Sequence, residues 1–390
     1  MMLWIGVMNK LIIAAAGAGK TTYIVRRACA KKDRKILITT FTTENETEIK
    51  SKIVKENGYI PAHISVQTWF SFLLQHGVRP YQDILNSSIH EKQIGFYLVH
   101  GRSGRKTGPA GKPIYWGEND FERFYFTDSF KIYSDKISKF VCKCNMASGG
   151  NVISRIERLF DEIYIDEIQD LAGYDLEILK LLLVSKCDIL MVGDPRQSTY
   201  ATHYEAKYGK YFHGKIKEFI ENELGKKIKC EVDEKTLNAS HRNPASICEY
   251  SSSLYPSLSA TQPCGCCKRD PRGHEGVFLV KPELVDDYLA KYKPVQLRWD
   301  VRAKCSKMLP AINMGESKGL SFERVLIYPT DKMKKFIRGN REELTDISLA
   351  KFYVALTRAY HSVGIVFDYK ANEQFEGVEF FTSFHQKGWK

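Results

Sequence analysis

Leu11-Ile-Ile-Ala14-Ala-Ala-Gly17-Ala-Gly19-Lys20-Thr21 is the stretch whose reading decides the fold of this chain. An apolar run ends in a glycine-bearing turn, and an amphipathic segment from about Lys20 to Ala30 follows, which is the strand, turn and helix context of a phosphate-binding loop. Glycines at 17 and 19 let backbone N–H groups point inward around phosphates. Lys20 supplies a point charge for the β and γ oxygens, and Thr21 offers a hydroxyl to Mg2+. Ala14, Ala15, Ala18 and Thr22 complete the cradle, with Ala14 standing where the strict pattern has Gly.

Outward from this loop the same rhythm of short apolar run, turn and helix repeats. Lys35 to Thr39, Ile163 to Ile165 and Ile189 to Val192 read as buried strands, which implies a parallel sheet covered by helices. A weaker copy returns later: Ile228 to Val232, Val277 to Val280, Val325 to Tyr328 and Val363 to Phe367 are strand-like, and Ser348 to Tyr360 is helical. The expected class is therefore α/β, in two units. Two stretches interrupt the rhythm. Residues 77–150 hold Gly101-Arg-Ser-Gly-Arg-Lys-Thr-Gly-Pro-Ala-Gly-Lys-Pro113, which reads as a mobile basic loop, either tracking a phosphate backbone or serving as a solvated linker. Residues 256–308 contain Cys264-Gly-Cys266-Cys267.

Composition sets limits on function. The 390 residues, 43% hydrophobic and 27% charged, exclude a disordered chain, and no apolar run is long enough to cross a bilayer. No membrane partner is expected, and the expected location is the cytoplasm of a bacterium or a virus-infected host cell. Fifty-eight Lys and Arg against 46 Asp and Glu leave +12, a surplus that draws polyanions. Ten cysteines suit free thiols or metal ligands better than disulfides. Cys264, Cys266 and Cys267 with His274 invite a zinc reading, but they do not form the paired Cys-x2–4-Cys spacing of most structural sites, so zinc is left unassigned; Cys142 and Cys144 add little.

A second carboxylate motif follows the third apolar run: Ile163-Tyr-Ile-Asp166-Glu167-Ile-Gln169-Asp170. A P-loop protein needs one carboxylate at a neighbouring strand tip to hold Mg2+ and another to orient the attacking water. Asp166 takes the first role and Glu167 the second.

The order of motifs resembles the UvrD/Rep/PcrA-like branch of superfamily 1 DNA helicases over most of the chain. Thr39-Thr-Phe41-Thr-Thr43 is similar to motif Ia, Val66-Gln-Thr68-Trp69-Phe70-Ser71 to motif Ib and Asp166 to Asp170 to the family's Asp-Glu-x-Gln-Asp. Val192-Gly-Asp194-Pro-Arg-Gln197-Ser-Thr-Tyr200 is similar to motif III, Leu237 to Arg242 to motif IV, Ser317 to Phe322 to motif V and Tyr353 to Ala359 to motif VI. The resemblance implies two RecA-like P-loop NTPase lobes with parallel sheets and a small insertion in each, ATP and Mg2+ in the cleft between them, and 3′ to 5′ movement on DNA. It implies that Gln197 senses the γ-phosphate, that Arg242 and Arg358 stabilise the transition state, and that His241 and Gly319 line the nucleotide. Phe41, Thr42, Thr68, Trp69, Phe70 and Tyr200 would face single-stranded DNA.

The chain departs from that pattern at several positions. No Gln precedes the P-loop to read adenine, His241 replaces a base-stacking tyrosine, and Thr202 stands where motif III has a tryptophan. The expected domains are 1–76 with 151–225 as the first lobe, 77–150 as its insertion, 226–255 with 309–390 as the second lobe and 256–308 as a vestigial insertion. The implied activity is an ATP-driven translocase and helicase of replication, repair or recombination, acting on single-stranded or tailed duplex DNA. It would be a monomer or weak dimer with possible replication or recombination partners. The alternatives are a DNA-stimulated ATPase switch that remodels protein–DNA complexes and a nucleotide-binding module without hydrolysis.

Overall fold

The structure, a computed structural model, describes residues 8–99, 101–108, 111–199, 207–225, 228–266, 273–341 and 344–382. Two compact units form. The first comprises residues 1–12, 21–193 and 201–233, and the second comprises 13–20, 194–200 and 234–390.

The first unit is built on a six-stranded sheet of β1 (Asn9–Ile13), β2 (Ile36–Thr40), β3 (Ile64–Thr68), β4 (Glu162–Asp166), β5 (Asp188–Gly193) and β6 (Cys230–Asp233). Their order is β6-β1-β5-β4-β2-β3, and the registered pairs run parallel, with Ile38 beside Val66 and Tyr164, and Ile165 beside Met191. Inner strands β2 and β4 are buried at every residue, as strands covered on both faces must be. Edge strand β3 instead alternates between buried and half-buried residues. Crossovers use helices such as α1 (Lys20–Ala30), which buries Ile24, Val25 and Ala28, and α2 (Thr43–Asn57), which buries Ile49 and Ile53. Thr42 caps α2 by accepting from the Asn45 N–H, and Gly58 ends it in the left-handed region.

The second unit repeats the architecture with β7 (Gly276–Val280), β8 (Val295–Arg298), β9 (Ala311–Asn313), β10 (Phe322–Ile327), β11 (Ala359–Val366) and β12 (Glu379–Phe380), ordered β9-β8-β10-β11-β7-β12 and parallel throughout. Its core includes Val277, Leu297, Val325 and Val363 with Phe352 and Tyr353 of α3 (Asp346–Leu356), and also Ala16 of the glycine-bearing turn. Both sheets have the parallel α/β arrangement of RecA-like lobes.

Three expectations need correction. Cys230–Asp233 does not open the second lobe: it pairs parallel with β1 as an edge of the first sheet. Residues 276–298 are not part of a separate insertion, because β7, β8 and the helix Val285–Tyr292 between them belong to the second sheet and its cover. The basic loop is partly regular: Arg105–Thr107 pairs antiparallel with Pro113–Tyr115, and Lys106 and Arg123 lie over the Trp116 ring at 3.8 and 4.6 Å. Among the described residues no helix is long and apolar enough to cross a membrane.

Candidate active site

Strand β1 stops at Ile13 and α1 begins at Lys20, so residues 14–19 make the whole turn. Gly17 and Gly19 do so at φ of +73° and +77°, where a side chain is strained. Gly17 also has no space for one: a Cβ would lie 2.8 Å from Arg242 Cβ and 2.9 Å from Ser240 Oγ. Residues 237–242 hold this turn. The Ala15 N–H donates to the Leu237 carbonyl at 2.8 Å, and the His241 N–H donates to the Gly17 carbonyl at 2.9 Å. Ala14 lies outside the positive-φ region, so the backbone does not demand glycine there; its carbonyl accepts from Arg196 Nη2 at 3.1 Å. No acidic residue occupies the first turn of α1, so no carboxylate of the helix itself competes with an anion at its N-terminus.

At the tip of β4 the two carboxylates diverge. Asp166 is buried and accepts from Thr21 Oγ1 through Oδ2 at 3.1 Å and from the Glu167 N–H through Oδ1 at 3.0 Å. Glu167 has a left-handed backbone, φ 56° and ψ 44°, a conformation that non-glycine residues occupy at a cost. Its carboxylate accepts from Gln169 Nε2. Gly193 permits this arrangement, since a Cβ there would stand 2.2 Å from Gln169 Oε1 and 2.7 Å from Ile168 Cγ2. A hydroxyl and a carboxylate oxygen side by side, one residue after Lys20, are hard oxygen donors of the kind Mg2+ takes.

The second unit gathers a buried polar network. Asp194, fully enclosed, accepts from Arg196 Nε at 2.7 Å, Gln197 Nε2 at 2.9 Å and the Tyr353 hydroxyl at 3.1 Å. Burial works against the Arg196 charge, but the Asp194 carboxylate outweighs it and Arg196 is held above its ordinary pKa; burial likewise pushes the Tyr353 phenol up. Gln197 uses its other end to accept from Arg358 Nη2 at 3.1 Å. Arg358 is only 2% exposed and also donates to the carbonyls of Val354 and Leu320, both at 3.2 Å. Arg242 donates to the carbonyl of Thr357, the residue before Arg358, at 3.1 Å. Gln197 thus bridges Asp194 and Arg358, and displacement of either must break or move one of its bonds. Asp194, Arg196 and Tyr353 carry this network although no role was read for them. The signal was the Asp-Pro-Arg-Gln run, whose charges had to be paired if it was buried.

Other expected nucleotide residues are placed as follows. His241 is exposed, with Cδ2 3.8 Å from where a Gly19 Cβ would be, and its Nδ1 faces Cys266 Sγ at 3.3 Å. Gly319 is exposed at φ +87°, directly before Leu320. His274, once grouped with the cysteines, instead stacks on Phe278 and Tyr292 and meets the Tyr288 hydroxyl through Nε2 at 3.0 Å; burial lowers its pKa to about 4. Cys267 lies outside the described residues.

The expected DNA face is corrected in part. Trp69 is 1% exposed, and its indole N–H donates to Asp175 Oδ1 at 2.8 Å, so it presents no ring to a base. Phe70 is 6% exposed, stacked on Phe96 at 4.9 Å and edge-on to Phe41 at 5.0 Å. Thr68 is buried and caps the following turn by accepting from the Ser71 N–H at 3.1 Å. Phe41 is half-buried and Thr42 exposed, both just past the carboxyl end of β2, the edge of a parallel sheet where ligands bind. Tyr200 lies outside the described residues.

Among solved structures, the arterivirus nonstructural protein 10 helicase is similar, with 13% identity over 92% of this chain and 59% of that one at a TM-score of 0.45. A complex of nonstructural protein 10 helicase with DNA gives 13%, 92%, 60% and 0.44, and the PRRSV helicase gives 14%, 94%, 54% and 0.43. This chain therefore spans less than two thirds of each of those proteins. No curated protein matches the sequence. Residues 6–203, just over half of the chain, match the family model described as AAA domain, and the chain belongs to that family.

Proposed function

We propose that this chain is an ATP-driven translocase and helicase that moves 3′ to 5′ along single-stranded DNA, in replication, repair or recombination. The observation that carries the reading is the Thr21 hydrogen bond to Asp166 in the first unit, alongside the close fit of the Gly17 turn to Ser240 and Arg242 in the second. Backbone N–H groups of residues 14–19, with Lys20 and Thr22, bind the triphosphate. Thr21 and Asp166 would hold Mg2+, which supplies charge neutralisation at the phosphates when bound. Glu167 orients the attacking water. Arg242 and Arg358 stabilise the charge that develops on the phosphoryl group, a role for which removal of a donor commonly costs ~100-fold or more in rate. Gln197 senses the presence of the γ-phosphate and passes it to Asp194 and Tyr353. His241 and Gly319 flank the nucleotide, while Phe41 and Thr42 contact DNA.

In domain terms, residues 1–76 and 151–225 form the core of the first RecA-like lobe, 77–150 its insertion, and the chain from 234 onward the second. We place the protein in the cytoplasm as a monomer or weak dimer. One observation favours a second reading, a DNA-stimulated ATPase that displaces bound proteins with little unwinding: β7, β8 and the helix between them take residues 276–298 of the interval into the second sheet and its cover, which leaves less chain for a duplex-engaging insertion. A steady-state ATPase assay with and without single-stranded DNA, followed by unwinding of 3′-tailed and 5′-tailed duplexes, tests both. Lys20→Ala and Glu167→Gln should abolish turnover in a folded protein; retained turnover in either refutes the assigned roles.

A further inference from the structure

Among the described residues one cluster of side chains, sharing His241 with the proposed nucleotide site, has the chemistry of a soft-metal site. His241 Nδ1, Cys264 Sγ and Cys266 Sγ lie within 4.8 Å of one another, with Cys266 Sγ 3.3 Å from both His241 Nδ1 and Cys264 Sγ. The residues are 23 apart in sequence and are brought together by a short parallel ladder, Ala239 beside Gln262 and Ser240 beside Pro263. The ladder continues past its named strands: the Cys264 N–H donates to the Ser240 carbonyl at 2.9 Å, so the first thiol sits next to the residue that precedes His241. The backbones that carry Cys264 and His241 are therefore ordered before any ligand arrives.

A bond between the two sulfurs does not account for their approach, because 3.3 Å far exceeds an S–S bond of about 2.05 Å. A tetrahedral zinc ion with Zn–S of about 2.3 Å and Zn–N of about 2.0–2.1 Å holds its donors about 3.5–3.8 Å apart; the two separations from Cys266 Sγ come within a few tenths of an ångström of this, and Cys264 Sγ and His241 Nδ1 lie within 4.8 Å of each other. Two thiolates and one imidazole are a soft-to-borderline donor set that selects Zn2+ over Mg2+ or Ca2+. We propose that His241, Cys264 and Cys266 form a zinc site, supplying three of its ligands from the described residues. The site is distinct from the Thr21 and Asp166 oxygen pair, and it stands whether or not the chain hydrolyses ATP. Its position has one consequence. The His241 N–H donates to the Gly17 carbonyl, so an ion on the ring of His241 ties down the strand end on which the P-loop turn rests.

The test uses the full chain, reduced, stripped with chelator and titrated with Co2+ and then Zn2+. One equivalent of Co2+ should give a thiolate-to-cobalt charge-transfer band and the intense visible bands of tetrahedral cobalt, both displaced by one equivalent of Zn2+. Cys264→Ser, Cys266→Ser and His241→Ala should each weaken Zn2+ affinity by tenfold or more, and Cys305→Ser, at a half-buried free thiol elsewhere in the unit, should not. A Co2+ complex without the charge-transfer band, or undiminished affinity in the Cys264→Ser, Cys266→Ser double variant, overturns the proposal. Should the variants misfold, alkylation of the wild-type protein mapped by mass spectrometry decides. Zn2+ should slow labelling of Cys264 and Cys266 by tenfold or more while leaving Cys305 unchanged, and equal rates at all three overturn the site.

Discussion

Adding one methyl group at Gly17 tests how tightly the P-loop turn is moulded to residues 240–242. At φ +73° an alanine costs about 1–2 kcal/mol in the left-handed region. The new Cβ would meet Arg242 Cβ at 2.8 Å and Ser240 Oγ at 2.9 Å, closer than side-chain carbons tolerate, and overpacking of this kind costs about 1–3 kcal/mol more. Gly17→Ala should therefore lose about 2–5 kcal/mol. Gly19→Ala is the control, since it shares the backbone penalty at φ +77° but would meet only His241 Cδ2 at 3.8 Å, an ordinary contact. Its loss should be about 1–2 kcal/mol. Urea unfolding followed by circular dichroism gives the two values, and binding of a fluorescent ATP analogue reports whether the turn relieves its strain by moving. Gly17→Ala should bind the analogue at least tenfold more weakly than Gly19→Ala. Equal stability and equal affinity in the two variants would refute the claim that residues 240–242 shape the loop.

Two further outcomes follow from burial. Trp69→Phe removes a hydrogen bond to the enclosed Asp175 carboxylate and should destabilise the protein by about 2 kcal/mol while leaving single-stranded DNA affinity unchanged; a loss of affinity at unchanged stability would return Trp69 to the DNA face. His76 is 6% exposed and packed against Phe72 and Phe160, and burial, aided by Arg155, lowers its pKa to about 4 from an ordinary value near 6.5. Its folded form favours the neutral ring, so its contribution is complete above about pH 6.5 and is lost as pH falls from there toward 4, about 2 kcal/mol of it by pH 5. Urea midpoints at pH 7.5 and 5.0 should differ less in His76→Phe than in the parent, and an identical difference would refute the assignment.

The parts of the fold legible in the sequence were those whose environment is uniform. Leu11-Ile-Ile, Ile163-Tyr-Ile and Val277 to Val280 are strands covered on both faces, and such strands read as unbroken apolar runs. Ile64–Thr68 passed unread because an edge strand is only half apolar, and Cys230–Asp233 was given to the wrong sheet because two of its four residues are acidic and its partner is chosen by distant pairing. Lys20, Thr21 and Asp166 were legible because phosphate and Mg2+ chemistry fixes both residue type and position after a strand. Trp69 was not, since an aromatic at a strand end can face a ligand or the core, and only the buried Asp175 decides between them. The approach of His241 to Cys264 and Cys266 depends on a two-residue ladder closing across 23 positions, which leaves no periodic trace.

Residues 13–20 and 194–199 group with the C-terminal unit, although the segments on either side of each belong to the N-terminal unit. The polypeptide therefore passes from one unit to the other five times, and no single cut yields two self-sufficient pieces. A fragment ending at residue 233 would keep every strand of its sheet and the Thr21–Asp166 pair, yet its P-loop would lack the surface that moulds Gly17. A gene fusion or split reporter that exchanges one unit must therefore carry residues 13–20 and 194–199 with the C-terminal one.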